Sequence, residues 1–186
     1  MAVQPAEKVY TVEDYFAMTD EYPRYELLEG ELIEMTPSPV FRHQRVAYKL
    51  ALILGAYCDV HQLGVIVTAP MDVILSARTV VQPDLIFIAQ ARRAQLIQER
   101  ITGAPDLVIE ILSPATSARD LNQKRKLYAR HGVQEYWIVD PDDETIEIQR
   151  LHGNVFSTLA IFEKGQSLTS PTFEGLTVDV AQVFAD

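Results

Sequence analysis

Apolar positions change their period several times along the chain, and each change predicts an element. Val46, Leu50, Ile53, Leu54 and Tyr57 recur at helical spacing with Arg42, Arg45 and Lys49 between them, which predicts a helix over about Phe41 to Cys58, behind the breaker Pro37-Ser38-Pro39. From Gly64 the pattern turns strand-like, in three stretches: Val65 to Pro70, Met71 to Leu75, and Val80 to Ile88. Ala91 to Arg100 reads as a polar helix or loop. Pro105 to Pro114 reads as a buried strand, and Ala118 to His131 as a helix stopped by Gly132. Three strands follow as an antiparallel meander, Glu135 to Asp140, Thr145 to Leu151 and Val155 to Phe162, turned at Pro141-Asp142-Asp143 and His152-Gly153-Asn154. Upstream, Thr11 with Asp14 three residues later marks a helix start, and Tyr25 to Met35 reads as a hairpin about Glu29-Gly30. The tail adds one short strand near Leu176 to Val180.

Two of the apolar runs begin Pro-Asp, at Asp84 and at Asp106. In the second, strand alternation puts Asp106, Val108, Glu110 and Leu112 on one face and Leu107, Ile109 and Ile111 on the other. Glu110 then has apolar neighbours on its own face. An unpaired carboxylate there costs several kcal/mol or takes up a proton. A divalent cation shared with Asp84 would compensate it, since two carboxylates with water and a phosphate oxygen make the oxygen-rich set that Mg²⁺ or Mn²⁺ prefers. Asp106 lies roughly 13 Å from Glu110 along the strand, at about 3.3 Å per residue, and reads as a strand-end residue.

Other polar residues carry two readings each. The acids of the hairpin form a solvated face, or Glu29 or Glu31 supplies an extra carboxylate. His43, in the first turn of its helix, is a surface or capping residue, or it touches a phosphate beside the site. Asp72 is an ordinary edge or turn acid, or a second candidate. On the helix from Ala118, Asp120, Lys124 and Tyr128 share one stripe. The five bases Arg119, Lys124, Arg125, Lys126 and Arg130 are a solvated face, or they serve the carboxylate strand just before them. The meander aromatics Tyr136, Trp137, Phe156 and Phe162 read as core or subunit contact.

Composition narrows the class. With 186 residues, 48% of them hydrophobic, the chain suits one domain and can bury a sizeable core. Met1 to Tyr10 has no basic or apolar leader pattern and no run is long enough for a membrane span, so the expectation is a soluble, cytoplasmic protein. Cys58, the single cysteine, reads as a buried thiol. The net charge of −10 argues against a polyanion ligand until it is divided: residues 1–34 sum to −7, 35–139 to +4 and 140–186 to −7. A local basic patch survives the global sign. There is no Gly-x-Ser-x-Gly elbow, no Gly-rich phosphate loop and no Cys/His zinc cluster.

The element order, helix, three strands with Pro-Asp on the last, a strand with an inward glutamate, a basic helix and a strand, resembles the PD-(D/E)XK nuclease core. The stretches Tyr25 to Leu32, Ser38-Pro39 with His43, Gln82 to Leu85, Val108 to Pro114 and Gly132 to Pro141 resemble, more narrowly, the Uma2 family of restriction-endonuclease-like proteins. That resemblance implies an α/β (α+β) fold: a restriction-endonuclease-like core with a central mixed sheet flanked by helices, an N-terminal hairpin and a C-terminal antiparallel meander. It implies one domain over 1–186, with the core about 38–140, the N-terminal helix and hairpin about 10–36, and the meander about 135–180. A strict Glu-x-Lys would put lysine at 112, where the chain has Leu112. In the family the lysine comes from the next helix, which points to Lys124, ahead of Arg125 or Lys126.

The implied activity is Mg²⁺- or Mn²⁺-dependent hydrolysis of DNA phosphodiesters. Asp84 and Glu110 would be the metal ligands, Lys124 the third catalytic residue, and Glu31, His43, Ser113 and Asp120 the auxiliary ones. A homodimer is expected if both strands of a duplex are cut. Two rivals stand beside this: a nuclease fold that has lost turnover and serves as a binding or structural module, and a glycoside hydrolase using Asp84 and Glu110 as acid and base.

Overall fold

The computed structural model describes residues 8–18, 23–35, 40–113 and 118–185, apart from the side chains of 118–120; the breaker Pro37-Ser38-Pro39 and the turn at 114–117 lie outside these. A short helix, α1 (Val12–Phe16), leads into the hairpin of β1 (Tyr25–Leu28) and β2 (Glu31–Glu34). Then come α2 (Phe41–His61), β3 (Gly64–Thr68), β4 (Val73–Ser76), β5 (Thr79–Val81) and β6 (Leu85–Ala89). A 3-10 turn, α3 (Arg93–Leu96) and β7 (Ile101–Thr102) precede β8 (Leu107–Ile111) and α4 (Ala118–His131). The chain closes through β9 (Glu135–Asp140), β10 (Thr145–His152), β11 (Val155–Glu163), β12 (Ser167–Ser170), β13 (Phe173–Asp179) and α5 (Val180–Phe184).

Local chemistry accounts for several of these boundaries. Thr11 and Asp14 form a reciprocal capping box at α1. The hairpin turns at Glu29 and Gly30 with φ of 54° and 95°, the pair of positive values that a two-residue turn matched to strand twist requires. Gly132, at φ 86°, takes the left-handed position that ends α4. The helix α2 runs three residues past Cys58, to His61, before Gln62 turns it off in the left-handed region.

A six-stranded mixed sheet, β11-β10-β9-β8-β6-β3, forms the centre; β8 and β9 are parallel and the other pairs antiparallel. A second sheet, β2-β1-β5-β4-β7, and the β12-β13 pair flank it. On one face of the central sheet α2 and α5 bury Leu50, Leu54 and Cys58 against Leu107, Ile109, Ile111 and Trp137. On the other, Leu127 and Tyr128 of α4 pack with Val108, Ile86 and Tyr136, and with Leu28 and Val81 of the second sheet. The alternation read along β8 is therefore the one observed. Among the described residues no helix is long and apolar enough to cross a membrane.

One expected strand is two. Val80 to Ile88 breaks at Gln82-Pro83-Asp84, and its halves enter different sheets: β5 pairs with β1 and β4, β6 with β3 and β8. Pro83 has no N–H to give a ladder. The Gln82 N–H on one side of it goes to a side chain, Glu26 Oε1, at 2.8 Å. The joint between the sheets is thus held by acids, and the candidate site forms there.

Candidate functional site

The register Leu85↔Ile109 between β6 and β8, carried one residue further, sets Asp84 across from Glu110. Asp84 Oδ2 accepts the Ile111 N–H at 2.8 Å, which ties the Pro-Asp joint to the end of β8. His43, in the first turn of α2, places Nε2 3.3 Å from the same Oδ2 and is buried. The surface reading of His43 gives way here because α2 starts against this end of the sheet. Burial pulls the imidazole pKa down, but the hydrogen bond and charge of Asp84 outweigh that and leave it above the usual histidine value.

Lys124 reaches the carboxylates from α4. Its Nζ lies 2.9 Å from Glu26 Oε1 and 3.2 Å from Glu110 Oε1, with 15% of the side chain exposed. Burial alone would favour the neutral amine; the charges of Glu110 and Glu26 overcome it and hold the ammonium protonated. One turn on, Tyr128 donates its O–H to Glu110 Oε1 at 2.5 Å. Burial, then the charge of Glu110, pushes that phenol well above its ordinary pKa, so it stays a donor. Glu110 itself is pushed up to about 7, first by burial and then, against the pull of Lys124, by the charges of Asp84 and Glu26. Two carboxylates thus meet one lysine and the third, Asp84, acts on them through space.

The expected auxiliary residues divide. Glu31 is exposed at the start of β2, the edge strand, and the hairpin acid that meets Lys124 is Glu26 of β1. Glu29 faces outward and pairs with Arg130 at 2.6 Å. Glu26 is reached because β1 lies between β2 and β5, inside its sheet. Ser113 stands half-buried two residues past β8. Asp120 lies one turn before Lys124 on α4, and its side chain is outside those described. Asp72 accepts from Tyr15 and Gln82, and Asp106 from the Ala89 N–H and Arg92, each a structural tie.

The basic run on α4 is mostly consumed inside the fold. Besides Lys124, Arg125 donates to Gln149 and to the Phe156 carbonyl, and Arg130 pairs with Glu29. Lys126 is exposed.

Among the described residues no three or more His, Cys, Asp or Glu side chains converge as a closed metal cage. Asp84 and Glu110 nevertheless fit a hard divalent cation of the Mg²⁺ kind, which takes one or two carboxylates and fills its remaining positions with water and substrate phosphate. Burial raises Glu110 most and the charges of Asp84 and Glu26 add to it; such a cation would offset both.

A family model described as "Uma2: Putative restriction endonuclease" matches residues 12–181, and the chain belongs to that family. Among solved structures the fold is similar to the crystal structure of a "putative nuclease belonging to DUF820" from Anabaena variabilis, with a TM-score of 0.78 and 20% identity over 94% of this chain and 97% of that one. A search of curated proteins finds no match.

Proposed function

We propose that this member of the Uma2 family is a metal-dependent endonuclease that hydrolyses DNA phosphodiester bonds, acting as one nuclease-like domain in the cytoplasm. The observation that carries the reading is the position of Lys124: fourteen residues beyond Glu110, on the next helix, its ammonium lies 3.2 Å from that carboxylate. A lysine among carboxylates at a sheet end is the set that phosphodiester hydrolysis needs, and Leu112 leaves the role to Lys124.

Asp84 and Glu110 would hold Mg²⁺ or Mn²⁺. When bound, the ion supplies positive charge against the phosphodiester and acidifies a water molecule. Lys124 offers N–H donors to the attacking water and to the phosphate oxygen on which charge builds as the water oxygen adds to phosphorus and the P–O bond to the leaving group breaks. Glu26 keeps the ammonium charged and aimed. Tyr128 fixes Glu110 Oε1, and His43 with the Ile111 N–H fixes Asp84 Oδ2, so both carboxylates are oriented before substrate arrives. Ser113 and Asp120 keep auxiliary roles. A glycosidase reading leaves Lys124 without a task.

Plasmid nicking in Mg²⁺ or Mn²⁺ tests the proposal, with Asp84→Asn and Lys124→Ala beside the wild type and Mn²⁺ binding followed by calorimetry. Nicking by the wild type alone, with Mn²⁺ binding lost in Asp84→Asn, is the expected result. Mn²⁺ binding without nicking would instead mark a fold that keeps its ligands and has lost turnover. Cleavage of both strands of a duplex calls for two copies, and sedimentation tests the homodimer.

A further inference from the structure

The exposed face of α2 presents Phe41, Tyr48 and Leu52, which are 78%, 55% and 51% accessible. At 100° per residue these three fall on one stripe, with Arg45 and Lys49 along its side. No acid occurs from Phe41 through Cys58. Arg42 is engaged by Asp142 and Glu144, at 3.4 Å each, whereas among the described residues Arg45 and Lys49 make no ion pair. Arg45 sits over the Tyr48 ring, its Cζ 5.8 Å from the centroid.

Tyr48 also lines a cleft of about 210 Å³ whose wall includes Gln44, Thr68, His43 and Asp84. The stripe therefore meets, at Tyr48, the cleft that holds Asp84. Lys124, Arg125 and Arg130 of α4 are spent on Glu26, Glu110, Gln149 and Glu29, so of the cations beside the cleft Arg45 and Lys49 are the ones left open to an anion.

We propose that the α2 stripe is the docking surface for an unpaired DNA strand, whose bases stack on Tyr48 and Phe41 while Arg45 and Lys49 meet its phosphates, so that the substrate class of the nuclease site is single-stranded or locally unpaired DNA. The inference rests on the nuclease reading of Asp84, Glu110 and Lys124. A duplex keeps its bases stacked inside and offers exposed aromatic side chains only backbone; an unpaired strand offers π-faces. Two unpaired cations are too few to hold a duplex by counter-ion release on a chain of net charge −10, and base stacking supplies affinity that overall charge does not oppose. A second copy is the poorer occupant, because twofold pairing of the stripe would bring like cations face to face. A single-strand substrate needs one copy of the site to be cut.

The test is fluorescence anisotropy in EDTA, where binding is read without cleavage, using a labelled 20-nucleotide single strand and the duplex of the same sequence. The single strand binds at least tenfold more tightly to the wild type. Tyr48→Ala and Phe41→Ala each weaken it roughly tenfold with little change for the duplex, as loss of one stacked base predicts. Lys49→Glu weakens it further and lowers its salt dependence. Each variant is checked for an unchanged melting temperature, expected of exposed positions. Equal affinity for the two DNAs, or binding indifferent to Tyr48→Ala, overturns the proposal, as does a wild-type dimer that Tyr48→Ala converts to monomer without loss of DNA binding. Failure of the nuclease reading looks different: single strands bind through Tyr48, yet Asp84→Asn changes neither Mn²⁺ binding nor DNA integrity.

Discussion

Glu110 and Glu135 lie on the neighbouring parallel strands β8 and β9, and both are buried, at 7% and 0% exposure. Their surroundings differ in kind. Glu135 receives Trp137 Nε1 at 2.7 Å, Ser170 Oγ at 2.6 Å, Thr172 Oγ1 at 2.8 Å, the Thr172 N–H at 3.2 Å and Arg150 at 3.2 Å. Both of its oxygens are saturated, and the donors come from β9, β10 and the β12 turn. Glu110 receives Lys124 and Tyr128 on one oxygen and feels the charges of Asp84 and Glu26. A saturated buried carboxylate fastens a fold. One that is crowded by its own sign is what the proposed cation would relieve.

If that contrast is right, Glu135→Ala carries the largest stability loss of the two sites. It strands the Trp137 indole N–H and the Ser170 and Thr172 hydroxyls, leaves the partly exposed Arg150 without its carboxylate and releases β12 from β9, which should cost about 3–5 kcal/mol. For a chain of this size that lowers the melting temperature by roughly 10 °C. Calorimetry reads it, while nicking per folded molecule stays near wild type. A melting temperature within a degree or two of wild type would break the comparison at its structural end.

Lys124→Ala is the counterpart at the other end. Loss of one preorganised cationic donor should lower the nicking rate about 10²- to 10³-fold, equivalent to about 2.7–4 kcal/mol of transition-state stabilisation, measured by single-turnover plasmid relaxation. Glu110→Gln should abolish nicking too, yet leave the metal-free protein at pH 7 no less stable than wild type. Lys124 keeps Glu26 at 2.9 Å, and the change removes one of three like charges. An urea midpoint for Glu110→Gln as low as that of Glu135→Ala would mean the two glutamates are alike after all.

Much of this was legible before the fold was known. The alternation of β8 put Glu110 on the face of Val108, which the fold shows to be the one α4 covers, and the stripe Asp120, Lys124, Tyr128 contained both residues that touch it. Glu26 was less legible, though it had the same signal as Glu110: a single acid inside Tyr25-Glu26-Leu27-Leu28. Hairpin alternation assigns such acids to solvent, which fails when the strand lies inside its sheet. The break at Pro83 was visible as a proline, but which sheet each half joins depends on partners 24 to 53 residues away, as in Leu85↔Ile109 and Leu27↔Val80. The clasp on Glu135 is further still from local pattern, since Ser170 and Thr172 sit 35 and 37 residues on. Nor can a charge run say that its arginines are spent on Glu29 and Gln149.

The finest effect expected at Glu110 lies in pH. Glu110 has a folded-state pKa raised from 4.5 to about 7, so the metal-free protein gains stability from its protonation below about 4.5 and loses that gain as pH rises through 7. His43, also raised, contributes in the same direction but only from its unfolded value of 6.5 upward. The windows are separable: between pH 4.5 and 6.5 a falling urea midpoint belongs to Glu110, and the Glu110→Gln variant should be flatter there while keeping the decline above 6.5. Tyr128→Phe sharpens the point, because its O–H lowers the Glu110 pKa. Without that hydroxyl the carboxyl titrates higher, and since a divalent cation competes with the same proton, Mn²⁺ affinity at pH 7 should fall a few-fold and recover at pH 8.5. Tyr128→Phe with wild-type Mn²⁺ affinity at both pH values would show that the hydroxyl shapes only the packing of α4.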